Sequence, residues 1–227
     1  MGSDDRVVAI TGATGLLGPV VARRFAADGA RLALLARSAG DVAALADELP
    51  GGDARHGGIA ADLATGEGAA AAAAEVRERL GPANVLLHLV GGWAGGVTVE
   101  DADEAAWREL FERNVWAAFN AIRAFLPDIR TSADGRIVTV STPLAGAPSA
   151  NIGAYVASKA ALEALTLTVA RELAGTSATA NVVLVRTIGD AKPTHTRPEE
   201  IAATLAWLAS PEAGAVSGQR IPIVGRA

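Results

Sequence analysis

Cysteine is absent from the 227 residues, which excludes disulfides, a thiol nucleophile and any cysteine metal site. Histidine occurs three times, at His56, His88 and His195, without the spacing of a ligand cluster, so no metal site is expected. Tyrosine occurs once, at Tyr155, and only two of the 20 basic residues are lysine, Lys159 and Lys192. No apolar run approaches the length of a membrane span, so no membrane partner is expected. No basic run occurs either and the net charge is -5, which argues against a nucleic acid partner. The polar, acidic start Met1–Arg6 does not read as a signal peptide, and the expected compartment is the cytoplasm.

Half of the residues are hydrophobic, and they fall into alternating short and long segments. Val7–Ile10 is an apolar run that enters the stretch Thr11-Gly-Ala-Thr-Gly-Leu-Leu-Gly18, and a helical pattern follows to Asp28. Arg31–Ala36 reads as a second buried strand, so the first 36 residues make one β-turn-α-β unit. Further on, strands are expected at Gly58–Ala61, Val85–Val90, Arg136–Val140, Ala180–Val185 and Arg220–Val224. Helices are expected at Asp41–Leu49, Ala69–Leu80, Asp103–Leu126 (ended by Pro127), Gly153–Leu173 and Glu199–Leu208. This alternation implies an α/β fold: a single-domain Rossmann fold over residues 1–227, with a doubly wound parallel sheet flanked by helices.

Four places carry chemistry. Glycines 12, 15 and 18 lie between a strand and a helix, where backbone N–H groups can meet a phosphate. Thr14, Gly15 and Leu17 belong to the same turn. After the second strand a carboxylate would grip a ribose 2′-hydroxyl, but this chain has Ala36, Arg37 and Ser38, which suit a 2′-phosphate. Tyr155 and Lys159 share a helix face at i, i+4, where an ammonium beside a phenol lowers its pKa and makes an acid/base. Asn114 lies on the stripe formed by Trp107, Leu110, Phe111, Val115, Ala118, Phe119, Ile122 and Phe125, so its amide is expected to be buried and hydrogen-bonded.

Together these residues resemble the short-chain dehydrogenase/reductase family over almost the whole chain. The resemblance implies that Tyr155 is the general acid/base, that Lys159 tunes it and contacts the nicotinamide ribose, and that Asn114 holds a relay water. It places Asp62 and Leu63 at the adenine, Gly91 on the cofactor and Ile188 at the nicotinamide amide. The catalytic hydroxyl falls on Thr142 by an ungapped count back from Tyr155, with Ser141 as the alternative. The implied cofactor is NADP in preference to NAD. The implied activity is hydride transfer to or from a small-molecule carbonyl or alcohol carbon, in a homotetramer or dimer. Several segments depart from the family pattern. The usual Asn-Asn-Ala-Gly is His88-Leu-Val-Gly91, the usual Pro-Gly is Val185-Arg186, and the segment Arg186–Arg197 is short enough to leave the site open. These departures sustain a second reading, a non-catalytic dinucleotide-binding regulator or assembly protein. Trp93, Leu144 and His195 are the candidate substrate contacts.

Overall fold

The computed structural model describes residues 6–225, so Met1–Asp5 of the polar start lie outside the described residues. Seven parallel strands form one sheet in the order β3-β2-β1-β4-β5-β6-β7. They are β1 Val7–Thr11, β2 Arg31–Ala36, β3 His56–Ala60, β4 Val85–His88, β5 Arg136–Ser141, β6 Thr179–Val185 and β7 Arg220–Ile223. The helices are α1 Gly18–Ala27, α2 Ala39–Glu48, α3 Gly66–Leu80, α4 Glu104–Phe111, α5 Ala117–Thr131, α6 Gly153–Glu172 and α7 Pro198–Ala209.

Successive strand residues point to opposite faces, and both faces are apolar, so helices must cover both. Val7, Ala9 and Leu35 join Phe125 and Ile129 in one core, while Val8, Ile10 and Leu34 join Phe25, Ile201 and Leu205 in the other. Phe125 is fully buried, and a fully buried Phe is worth about 3–5 kcal/mol against truncation to Ala. Strand order reverses between β1 and β4, and ligands of such sheets bind at the carboxyl ends of the strands there.

The expected elements all form with ends shifted by one to three residues, β4 stopping at His88 instead of Val90, and two larger corrections are needed. Pro127 does not end its helix, which continues as α5 to Thr131. Proline removes one N–H and crowds the preceding turn, but fully buried Ile129 and the Arg77–Asp128 ion pair hold the next turn in place. The second correction is at residues Glu112–Trp116, a π turn inside what reads as one uninterrupted helix. Phe119 of the apolar stripe lies exposed beside Trp116, while Ala118, Ile122 and Phe125 face inward as expected.

The short segment after β6 is a closed loop. Ile188 bridges Thr196, Gly189 N–H donates to the Thr196 carbonyl at 3.0 Å, and the buried Thr196 hydroxyl donates to the Ile223 carbonyl at 2.8 Å.

Candidate active site

A cleft of about 540 Å³ opens at the ends of β1, β2, β3 and β4, within the usual range for cofactor sites. Its floor is the turn after β1. Gly12 has φ +71, a backbone conformation that favours glycine, and its carbonyl accepts from Gly15 N–H at 3.0 Å. Thr14 and Gly15 line the cleft, whereas Gly18 is buried and serves packing: a Cβ there would sit 2.2 Å from the Ala13 carbonyl oxygen. Leu17 is also directed away from the cleft, with its side chain in the core around α1.

Beyond β2 the cleft wall is Ala36, Arg37 and Ser38. Ser38 caps α2 by accepting from Asp41 N–H at 3.3 Å, which also starts that helix two residues before the expected Asp41. Arg37 is exposed and makes no ion pair among the described residues, while Asp41 lies on the same wall. Asp62 and Leu63 form the next corner. Asn120, which carried no signal in the sequence, shapes that corner by donating to the carbonyls of Leu63 and Ala64, each at 3.0 Å.

The cleft reaches Gly91, where Lys159 of α6 approaches it. A Cβ on Gly91 would stand 2.9 Å from Lys159 Nζ and 3.4 Å from Asn114 Oδ1, so only glycine leaves that approach open. Asn114 is buried on the π turn, a local irregularity common at functional sites. Its Oδ1 accepts from Gly92 N–H at 2.7 Å, and its Nδ2 donates to the Gly92 carbonyl at 3.2 Å and to Ser158 Oγ at 2.8 Å. The amide therefore staples the Gly91–Gly92 backbone to α6. Lys159 is buried, donates to the Val140 carbonyl at 3.0 Å, and is pushed down to about 8 by desolvation, against which the Glu163 carboxylate raises it.

Tyr155 is half-buried. Burial pushes its phenol up, and the facing Thr142 hydroxyl draws it down by less. The expectation that Lys159 depresses the phenol does not hold for the protein alone, because the ammonium is buried and directed at the Val140 carbonyl.

The two candidate hydroxyls point opposite ways, as neighbours at a strand end do. Thr142 faces Tyr155 and accepts from Leu144 N–H at 3.3 Å; Ser141 donates to the buried Glu163 carboxylate at 2.6 Å. Thr142→Val is therefore expected to lower kcat by about 10²-fold with little change in Tm. Ser141→Ala is expected to lower Tm and leave kcat within a few-fold, since it strips one bond from a buried carboxylate. Steady-state kinetics and thermal melts of the two variants check this, and a reversed pattern would make Ser141 the working hydroxyl.

Of the remaining expected residues, Ile188 is half-buried, packs on the core beside α7 and does not line the cleft. Trp93 is exposed, and its ring and Ile152 both lie against Gly95. His88 is fully buried at the end of β4, 2.9 Å from Thr11 Oγ1 through Nδ1, while its Nε2 has no partner among the described residues. Among the described residues no group of three or more His, Asp or Glu could hold a metal, and no helix is long and apolar enough to cross a membrane.

Comparison with known proteins agrees with the fold. The short chain dehydrogenase family profile matches residues 6–197. Galactitol 2-dehydrogenase (L-tagatose-forming) of Cereibacter sphaeroides is 34% identical, covering 98% of this chain and 94% of its own. Among solved structures, a short-chain glucose/ribitol dehydrogenase from Brucella melitensis is 28% identical with TM-score 0.88, covering 97% of this chain and 95% of its own. An NADPH-bound short chain oxidoreductase from Pseudomonas aeruginosa PAO1 shares the fold with TM-score 0.89 at 23% identity, covering 97% of this chain and 95% of its own.

Proposed function

The chain belongs to the short-chain dehydrogenase family, oxidoreductases of CH–OH and C=O groups, and on that premise we propose that it is an NADPH-preferring carbonyl reductase with Tyr155 as its acid/base. The observations that carry this reading are the approach of Lys159 to the cleft at Gly91 and, one helical turn before it on α6, Tyr155 facing the Thr142 hydroxyl.

A dinucleotide fits the residues present. The glycine turn lines the cleft where a pyrophosphate would lie, Arg37 would face the adenosine ribose, and Gly91 clears the approach to Lys159. Thr14, Gly15, Asp62 and Leu63 would line that site. When bound, the cofactor supplies the hydride. Thr142 would orient the substrate oxygen by donating to it. Tyr155 would deliver the proton to that oxygen during reduction and take it back during oxidation. Lys159 would hold positive charge close to the phenol and ribose, and Asn114 would keep Gly91–Gly92 in place. A bound oxidised cofactor would add positive charge that favours phenolate against burial. NADPH oxidation measured over a panel of ketones, quinones, pterins and imines tests the reading. Tight NADPH binding with no oxidation across that panel would favour the non-catalytic regulator.

Cofactor choice follows Arg37. Arg37→Ala is expected to weaken NADPH by about 1–3 kcal/mol, the range for a hydrogen bond to a charged group, and to leave NADH nearly unchanged. Calorimetric titration of both cofactors checks it, and equal wild-type affinities would remove the NADP assignment.

The reading also includes a second copy of the chain, as a dimer or tetramer in the cytoplasm. The exposed Trp116–Phe119 pair, 5.8 Å apart on the outer side of the long helix, is the surface that supports it. Sedimentation at the monomer mass would remove it.

A further inference from the structure

Tyr155, Lys159 and Glu163 stand at successive i, i+4 steps along α6, on one face of the helix. Glu163 is buried, with only 4% of its surface exposed. Isolated carboxylates are not left in such places, since burying a charge without partners is costly. Here both oxygens are engaged. Oε1 accepts from Ser141 Oγ at 2.6 Å, and Oε2 accepts from Arg220 Nε at 2.7 Å. Ser141 precedes Thr142, and Val140, whose carbonyl takes the Lys159 ammonium, precedes Ser141. Arg220 belongs to β7, the edge strand, and its side chain is half exposed. One carboxylate thus ties three elements together one helical turn beyond Lys159.

We propose that Glu163 is a positioning residue of the active site: anchored by Ser141 and Arg220, its carboxylate keeps Lys159 an ammonium at working pH. This rests on the proposed role of Lys159. A strut that merely pinned β7 to α6 would not need its carboxylate one helical turn from a buried lysine. The charged and titratable groups around Lys159 are Tyr155 and Glu163 on its own helix and His88 on β4, with Arg220 on β7 behind Glu163. His88 is neutral there, because desolvation holds it at about 3, and the nearby ammonium acts in the same direction. Tyr155 is held neutral by burial in the protein alone. Glu163 is therefore the negative charge that acts on Lys159, and it opposes the desolvation that would strip the proton.

The chain offers a direct readout, because its only lysines are Lys159 and Lys192. With lysine labelled with carbon-13 at Cε, two resonances titrate, and exposed Lys192 serves as the internal reference. In Glu163→Gln, which keeps an acceptor for Ser141 but no charge, the Lys159 midpoint is expected to fall by about 1 pH unit or more. The alkaline limb of kcat moves acid by the same amount, so turnover at pH 8 falls several-fold while turnover at pH 6 changes little. Arg220→Leu removes the competing cation from an exposed edge position and is expected to raise the Lys159 midpoint, which keeps the proposal testable if Glu163→Gln does not fold. Ser141→Ala leaves the charge and is expected to leave the midpoint in place. A folded Glu163→Gln with an unmoved Lys159 resonance, or a fall in Arg220→Leu, overturns the proposal. These resonances report on the pair whether or not the protein turns over, so a failure of the reductase reading, seen as absent NADPH binding or oxidation, is separate from a failure here.

Discussion

Tyr155→Phe lowers kcat by about 10²–10⁴-fold and leaves dinucleotide affinity nearly unchanged; that is the result expected if the phenol carries the proton. The substitution removes one oxygen from a half-buried ring, so it leaves no cavity and little reason to unfold. The oxygen it removes is the one facing Thr142. The same residue gives a spectroscopic check, because it is the only tyrosine in the chain. In the protein alone its ring resonance is expected to titrate above the usual phenol midpoint, since burial is the largest influence on it. With oxidised dinucleotide added, the nicotinamide charge is expected to draw the midpoint down. Turnover that survives Tyr155→Phe, together with a midpoint that the dinucleotide does not lower, would assign the proton to another donor.

The second large effect is on stability in acid, and it belongs to His88. Folding holds this imidazole at about 3, well below its ordinary value of 6.5, mainly by desolvation. The unfolded chain then binds a proton that the folded chain refuses whenever the pH lies between those two values. Stability is therefore intact above about pH 6.5 and is lost as pH falls through the window, at roughly 1.4 kcal/mol per pH unit and about 5 kcal/mol in all by pH 3. His88→Asn keeps a polar partner for Thr11 and cannot take up that proton. Its stability is expected to fall less steeply from pH 6.5 to pH 4 in urea titrations. Carboxylate contributions are common to both proteins and drop out of the comparison. His56 is also pushed down by burial and stays in both, so some slope remains in the variant. Parallel curves for wild type and His88→Asn would mean that His88 takes up its proton without unfolding the chain.

Much of the architecture was legible because hydrophobic period and glycine placement are local signals. β1, the turn and β2 follow from Val7–Ala36 alone, and the alternation of segments implies the parallel sheet that forms. The failures arise where a distant contact outweighs a local preference. Pro127 reads as a helix end, but the burial of Ile129 is a tertiary fact. A π turn has no pattern of its own, so it could not be read from an apolar stripe. At the site, Tyr155 and Lys159 stand out by spacing and scarcity, whereas Leu17 looks like the rest of the turn until the core claims its side chain. Glu163 and Asn120 look like ordinary helix residues. Their roles depend on what β5, β7 and the corner after β3 bring to them. The choice between Ser141 and Thr142 depended on which way each hydroxyl points, and a strand end alternates its side chains.

The closed loop after β6 bears on how this scaffold could diversify. Its two ends, Ile188 and Thr196, are already neighbours and are clipped to Ile223, so the segment between them is a tip on a finished stem. Lengthening such a tip adds little closure entropy, only about 0.6 kcal/mol for each doubling. The loop is thus an insertion port: a longer covering segment could be grafted between those residues while the sheet, the glycine turn and the Tyr155 helix stay as they are.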